Sequence, residues 1–131
     1  MNLYTLVSKS GSDWVKENVK VFVVYDYIAR LEFTGAALRD RQGEPLEAYL
    51  VNRKDGTSYV TDDSLTLRAL ESAGADLAPE GMLAAEIKNL AGRYHLELTE
   101  DRELTAECSD EDFAQKVQEL AACMAAVLQL A

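Results

Sequence analysis

This sequence contains few of the residues that usually carry catalysis or cross-linking. It has one histidine and two cysteines in 131 residues. His95, Cys108 and Cys123 lack the clustered spacing of a zinc site, and the two cysteines form no CxxC pair. Cys123 lies in an alanine-rich apolar segment, so we expect a small core residue and a reducing compartment. We therefore expect no metal, no cofactor and a cytoplasmic protein.

Long apolar runs and phosphate-binding motifs are also missing. The longest uncharged apolar run, LAACMAAVLQLA at residues 120–131, is too short to span a bilayer. The first residues lack a basic stretch followed by an apolar run, so we expect no signal peptide and no membrane contact. The isolated glycines build no phosphate loop, and no nucleophile elbow appears. The sequence therefore favours a protein that is not an enzyme.

Acidic residues are abundant but confined to one half of the chain. The net charge is −10, while residues 1–60 contain eight acidic and eight basic side chains. The excess therefore lies in residues 61–131. The densest segment, residues 97–112, holds Glu97, Glu100, Asp101, Glu103, Glu107, Asp110, Glu111 and Asp112 beside one arginine. Such a surface repels nucleic acid and attracts basic partners.

Apolar spacing predicts one domain over residues 1–131, with several strands and helices. Helical patterns cover residues 10–19, 64–74, 78–94 and 109–131. Strand patterns cover residues 19–33, with a bend near Asp26, and residues 46–53, 58–61, 94–98 and 103–108. Asp55-Gly56 predicts a type I′ hairpin turn. The predicted class is α+β, a largely antiparallel sheet with helices packed on one face and a long C-terminal helix.

The stretch YVTDDSLTLRALESAG, residues 59–74, contains an aspartate pair where a strand pattern becomes a helix pattern. A helix start needs side-chain acceptors for its free N–H groups, so we expect Asp62 or Asp63 to cap the helix. The alternative is a metal-dependent nuclease that uses Asp62, Asp63 and Glu86, since Glu86-Ile87-Lys88 spells E-x-K. That motif needs a strand, and here it lies in a helical pattern.

The acidic segment has a predicted arrangement of its own. Strand alternation directs Glu97 and Glu103 away from the apolar residues, and the intervening turn holds Glu100 and Asp101. Ser109 stands three residues before Asp112, a variant of the capping box, so the remaining acids begin the last helix. We expect one continuous negative surface that imitates nucleic-acid phosphates. The alternative is a solvated face that only keeps the protein soluble.

The apolar pattern of the last helix predicts a homodimer. Small or apolar residues surround residues 120–131, and a helix apolar on all sides is usually buried on all sides. We expect that a terminal helix in so small a domain is not enclosed by its own chain, which predicts a homodimer across a two-fold axis. The alternative is a helix laid across the sheet with an alanine face in water.

Four motifs in this order carry a resemblance: DWVKENV, YVTDDSLTLRALESAG, YHLELTEDRELTAEC and FAQKVQELAACMAAVLQL. The sequence resembles a bacterial and phage-borne family of unknown function with a Trp-x-Lys-Glu-Asn-like segment and a Thr-Asp-Asp-Gly turn that opens a helix. The matching residues are Trp14, Lys16, Glu17, Asn18, Thr61, Asp62 and Asp63, and Ser64 replaces the glycine. The resemblance implies a mobile-element context and no established activity.

These observations together predict a phage-encoded acidic protein that acts by binding. It would occupy a basic surface of a nucleic-acid-binding host defence complex, such as a CRISPR effector or another defence nuclease, as anti-CRISPR or anti-restriction inhibitors do. It would not bind nucleic acid directly. The alternatives are the metal-dependent nuclease and a dimeric structural or antitoxin-like module.

Overall fold

The computed structural model describes residues 13–25 and 27–130. Within them lie α1 (Asp13–Asn18), β1 (Val19–Tyr25), β2 (Ile28–Phe33), β3 (Glu47–Asn52), β4 (Ser58–Thr61), α2 (Leu65–Ser72), α3 (Met82–Arg93), β5 (Glu97–Leu98), β6 (Leu104–Cys108) and α4 (Phe113–Leu128). The predicted α+β class, with its antiparallel sheet and long last helix, is confirmed. Residues 10–12 of the first predicted helix, and Asp26, lie outside the described residues.

The six strands form one antiparallel sheet in the order β1-β2-β3-β4-β6-β5. Strands β1 to β4 follow one another along the chain as a meander. Strand β6 then pairs with β4 after an insertion that contains α2, α3 and β5. The register sets Leu50 beside Val60 and Val60 beside Ala106, so apolar side chains line up across the sheet. We call this apolar side the inner face and the opposite side the outer face.

Residues 19–33, predicted as one strand with a bend, form the hairpin of β1 and β2. Val19 pairs with Phe33 and Val23 with Ala29, and the register shifts before Tyr25 pairs with Ile28. Each half alternates on its own, so both contribute apolar residues to the inner face. The turn has no glycine or proline, which explains why the sequence pattern did not reveal a chain reversal there.

The hairpin of β3 and β4 is confirmed, but its predicted type I′ turn is wrong. A type I′ turn needs a positive φ at both central residues, and only Gly56 of this loop has one, at 89°. Gly56 N–H donates to the Arg53 carbonyl at 3.1 Å, and Arg53 N–H donates to the Thr57 carbonyl at 2.8 Å. Asp55 Oδ1 also accepts from Thr57 N–H, and this side-chain bond favours the longer three-residue loop.

The core lies between the inner face and the four helices of the described chain. One side of α4 is fully buried, at Phe113, Val117, Leu120, Met124 and Val127. Helix α4 contacts α1, α2 and α3 as well as β4 and β6. The expectation that its own chain could not enclose it is therefore wrong, because three other helices flank it on the same face. The homodimer across α4 stays a prediction, but the incomplete burial of α4 no longer supports it.

Helices α2 and α3 end in the same motif at different residue types. Gly74, the last residue of the helical pattern over residues 64–74, has φ 96°, and Ala75 N–H donates to the Leu70 carbonyl at 3.0 Å. In α3 the left-handed residue is His95, with φ 61°, and not a glycine. Leu96 N–H then closes the helix on the Ala91 carbonyl at 2.8 Å. Both are Schellman motifs, which usually contain glycine at the left-handed position.

Candidate functional site

The outer face of the sheet is not covered by any helix of the described residues, because the helices pack on the inner face. Two arginines cross its centre, each between an aromatic ring and a carboxylate. Arg30 lies 4.4 Å from the centre of the Phe22 ring, and its Nη1 is 2.7 Å from Glu47 Oε1. Arg53 lies 4.4 Å from the centre of the Tyr59 ring. These cation–π and ion-pair contacts leave the centre of the face close to neutral.

The acidic residues lie along β5 and β6, which form the edge of the sheet farthest from β1. Glu97, Glu103 and Glu107 point to the outer face, while Leu98 and Leu104 face the core, so the predicted alternation is confirmed. We call these three glutamates the glutamate row. It runs between two groups of acids, one in the β5–β6 turn and one before α4.

The two groups stand at opposite ends of β6. Glu100 and Asp101 form the turn group, whereas Asp110, Glu111 and Asp112 form the helix-start group. A strand rises about 3.3 Å per residue, so β6, from Leu104 to Cys108, places about 13 Å of strand between the two groups. The acids are therefore distributed as two patches joined by the glutamate row, and not as one compact cluster.

Most of these carboxylates have no basic partner. Within the described chain, Glu107 is the one member of the eight with an ion pair, 3.2 Å from Arg53 Nη1. Glu103 accepts from the Thr61 hydroxyl at 3.1 Å, and Asp112 Oδ1 accepts from Ser109 N–H at 2.6 Å. The Asp112 N–H donates back to Ser109 Oγ at 3.4 Å, so the reciprocal bonds of the predicted capping box form. They lie in the turn before the helix, because α4 begins at Phe113 with Asp112 as its N-cap, and the expected acids in its first turn are not there. The negative field of this edge is therefore largely uncompensated.

Asp62 caps α2, as expected for one of the two aspartates, and also joins two distant parts of the chain. Its Oδ2 accepts from Thr66 N–H in the first turn at 3.2 Å. Its Oδ1 accepts from Ser64 N–H at 3.1 Å and from Leu104 N–H of β6 at 2.9 Å. Burial raises the pKa of this carboxyl above its ordinary value, although the three backbone donors act in the opposite direction. The contact with Leu104 had no signal in the sequence.

Asp63 has a different role from Asp62. It is exposed, and its N–H donates to Thr61 Oγ1 at 3.0 Å. Its carbonyl accepts from Arg68 Nη2 at 2.7 Å. Asp63 and Ser64 both have left-handed backbones, with φ 54° and 64°. A glycine fits the position of Ser64 for this reason, and the resemblance described above has glycine there.

The residues of the nuclease alternative do not converge. Asp62 is buried against β6, whereas Glu86 is exposed on α3 and lines a depression with Ala126 and Gln129 of the α4 end. The described residues contain no group of three or more histidine, cysteine, aspartate or glutamate side chains that could hold a metal ion. No helix in the same part of the chain is long and apolar enough to cross a membrane.

Neither cysteine has the properties of a nucleophile. Both are free thiols, and Cys123 is buried, as expected for a core residue. Burial raises the pKa of Cys123 to about 12. Burial, together with the charges of Asp112, Asp110 and Glu107, raises the pKa of Cys108 to about 12. Both side chains therefore stay protonated near neutral pH, and the thiolate is the reactive form.

A depression of about 370 Å³ lies between α2, α4 and the β2–β3 loop. Its floor is apolar, with Leu46, Met124 and Leu128. The charged groups at its rim already have partners inside the chain. Arg68 donates to the Asp63 carbonyl, and Asp40 Oδ1 accepts from the backbone N–H groups of Gln42 and Glu44. The buried hydroxyl of Thr66, which also lines the depression, has no hydrogen-bond partner among the described residues. The depression therefore offers shape and one free polar group.

The sequence pattern did not reveal a cluster of exposed apolar side chains at the other edge of the sheet. Phe22, Val24, Tyr25 and Tyr27 are 41, 50, 59 and 56% exposed, respectively. The rings of Tyr25 and Tyr27 stack with their centres 6.0 Å apart. The apolar run FVVY, which does not alternate, was the available signal.

These features define an α+β protein with an open sheet face and one strongly acidic edge. The chain belongs to the family described as Domain of unknown function DUF1828, which matches residues 37–127. The match includes Thr61, Asp62 and Asp63, and it leaves α1, β1 and β2 outside. The expected membership in a family of unknown function is confirmed. Comparisons with curated proteins and with solved structures find no match.

Proposed function

We propose that this protein acts by binding, with its acidic β5–β6 edge occupying a basic, nucleic-acid-binding surface of a partner protein. The proposal rests on one observation: most acidic side chains of this edge have no basic partner among the described residues. Of the eight acids in residues 97–112, Glu107 alone has a base within 4.0 Å among the described residues. Uncompensated like charges repel one another, and a basic partner would relieve that repulsion.

The β5–β6 hairpin is held firmly enough to act as a binding element. Ser64 Oγ donates to the Asp101 carbonyl at 2.7 Å, and Arg102 Nη1 is 2.7 Å from Glu71 Oε2 of α2. The Asp62–Leu104 bond fixes the start of β6. A surface that is ordered before binding loses less conformational entropy when the complex forms. The turn group and the glutamate row therefore make up the proposed contact surface.

The partner class in this proposal is a nucleic-acid-binding defence complex in a bacterial cytoplasm, and the protein is its phage-encoded inhibitor. Two observations support this class: the one-sided acidity and the resemblance to phage-borne proteins. The same acidity argues against direct binding of nucleic acid, because phosphates would meet carboxylates at this edge. Free thiols at Cys108 and Cys123 are consistent with a reducing compartment.

A pull-down with charge-matched variants tests the proposal. Tagged wild-type protein, Glu100→Lys/Asp101→Lys and Glu80→Lys/Glu86→Lys are each incubated with bacterial lysate at low salt and analysed by mass spectrometry. All four residues are exposed, and both variants change the net charge equally. We expect the wild type and the α3-side control to retain a nucleic-acid-binding protein that the turn variant loses. Equal retention by all three proteins, or no such protein with the wild type, would reject the proposal.

A further inference from the structure

Among the described residues, strand β1 is an outermost strand of the sheet. It pairs with β2, and no strand of the described residues pairs with its other side. Thr34 N–H donates to the Asn18 carbonyl at 2.8 Å, so Asn18 is a hydrogen-bonded partner of β2. Antiparallel pairs alternate, so Lys20 and Phe22 also bond to β2. The N–H and C=O groups of the odd-numbered residues, Val19, Val21 and Val23, therefore point away from the sheet.

The side chains of this edge do not discourage pairing. Natural edge strands are usually protected by charged residues, proline or a covering segment. Lys20 is the sole charged residue of β1, whose sequence is VKVFVVY. Four of the six large apolar side chains that are exposed in the described chain lie at Phe22, Val24, Tyr25 and Tyr27. Free backbone groups beside exposed apolar residues are the two properties that a strand-pairing partner uses.

Charge determines which partner fits this edge. Two copies of a chain with net charge −10 repel each other wherever their acidic edges meet. Strand β1 stands five strand spacings from β5, which is about 24 Å at 4.8 Å each. That distance exceeds the screening length of about 8 Å at physiological ionic strength. The β1 edge is therefore where two copies can approach while their acidic edges stay far apart.

Other occupants fit less well. A nucleic acid would need a cluster of free positive charge. Lys20 is the one base on β1, and the neighbouring Arg30 is already shared between Glu32 and Glu47 at 3.3 and 2.7 Å. A basic protein would be drawn to the acidic edge instead. We infer that β1 pairs with β1 of a second copy of this chain, in antiparallel orientation about a two-fold axis at Val21, so that two six-stranded sheets become one.

The register follows from the backbone. An axis at Val21 sets Val21 opposite Val21 of the second copy and Val19 opposite Val23, so every outward-facing residue meets another. Lys20 then stands opposite Phe22, where its ammonium group can contact the ring. An axis at Lys20 would instead oppose two like charges. The inference does not depend on the proposed partner, since it uses the other edge of the sheet.

Disulfide trapping tests both the edge and the register. In the inferred dimer the two copies of residue 21 have Cα atoms about 5.5 Å apart, within disulfide reach. The two copies of residue 22 are about 8 Å apart, beyond that reach. We expect Val21→Cys to give a covalent dimer under mild oxidation, while Phe22→Cys and the wild type do not. Cross-linking at residue 22 and not at residue 21 would overturn the inference.

Light scattering with proline substitution gives a second readout. The wild type at micromolar concentration should have twice the chain mass of 14.5 kDa. Val21→Pro removes an outward N–H that β2 does not use, and edge strands tolerate such a proline. We expect a folded monomer, checked by circular dichroism, and a dimer for the control Val21→Thr. A wild-type monomer at 100 μM, or a dimer that survives Val21→Pro, would overturn the inference.

Discussion

The two outer edges of the sheet differ in every property that governs association. The β1 edge has balanced charge, exposed aromatic residues and open backbone groups, and it lies outside the family match. The β5–β6 edge is acidic, lies inside the match and is tied to α2 by Asp62, Ser64 and Arg102. One sheet can therefore carry two binding surfaces with opposite preferences, because charge prevents self-association at one edge and permits it at the other.

The largest effect that we expect comes from breaking the attachment of the acidic edge. Asp62→Ala leaves the buried N–H groups of Thr66 and Leu104, together with that of Ser64, without their acceptor. Each unsatisfied buried group costs about 1–3 kcal/mol, so the free energy of unfolding should fall by roughly 3 kcal/mol or more. Urea denaturation followed by circular dichroism measures this change.

Asp63→Ala is the matched control for that variant. The exposed Asp63 makes its hydrogen bonds through its backbone, so its loss should cost about 1 kcal/mol or less. Equal losses in the two variants would contradict the distinct roles assigned to the two aspartates. The β5–β6 hairpin should also become more sensitive to proteolysis in the Asp62→Ala variant, because the hydrogen bond from Leu104 to Asp62 that fixes the start of β6 is lost.

The second effect concerns binding at the acidic edge. Once a partner is identified, Glu100→Lys/Asp101→Lys should weaken the affinity at least tenfold, which corresponds to about 1.4 kcal/mol. The wild-type affinity should fall steeply with salt because exposed charges are screened. Titration calorimetry at two salt concentrations checks both statements. Glu80→Lys/Glu86→Lys should change the affinity little, and an equal loss in this control would indicate a nonspecific charge effect.

The third effect is a dependence of stability on pH. Because burial raises the folded-state pKa of Asp62, the unfolded chain loses this proton at lower pH than the folded chain does. The stability contributed by the protonated carboxyl is present below the ordinary pKa of 3.8 and is lost as pH rises through the folded-state pKa. The free energy of unfolding of the wild type minus that of Asp62→Asn should therefore be lower at pH 7 than at pH 3.5. A difference that is independent of pH, or that rises with it, would contradict this assignment.

The smallest effect concerns His95, which begins the turn into the acidic edge. A non-glycine residue in the left-handed region is strained, and His95→Gly removes that strain. The substitution also removes the contact between His95 Nδ1 and Glu119 Oε2, which is largely exposed on the histidine side and therefore weak. We expect a net gain of about 0.5 kcal/mol in thermal unfolding experiments. His95→Ala keeps the strain and loses the contact, so it should be slightly destabilising.

Local patterns predicted the parts of the fold that depend on neighbours in sequence. The alternation of β6 and the reciprocal bonds between Ser109 and Asp112 are set within a few residues. The β1–β2 reversal was missed because its turn has no glycine or proline. The helical pattern over residues 78–94 located the end of α3 closely, but it did not show that the left-handed residue of the closing motif is His95, because that motif closes on the buried Leu96.

The candidate site was predictable in composition and not in arrangement. Counting acids along residues 97–112 identified the acidic edge, but their separation into two groups depends on the length of β6. The bond from Asp62 to Leu104 spans 42 positions, and no local pattern reports such a contact. The exposure of Tyr25 and Tyr27 depends on β1 being an edge strand, which follows from the strand order alone.

The strands of the sheet precede, along the chain, the helix that covers them, and this order matters during synthesis on the ribosome. The meander of β1 to β4 emerges first, and α4, which covers the inner face, emerges last. At about 5–20 residues per second, roughly 3 to 13 s pass between the completion of β4 and that of α4. During that interval the nascent chain displays Leu31, Phe33 and Leu50 to its surroundings. Chaperones that hold apolar strands should therefore bind a chain stalled before α4 and release it once that helix has been translated.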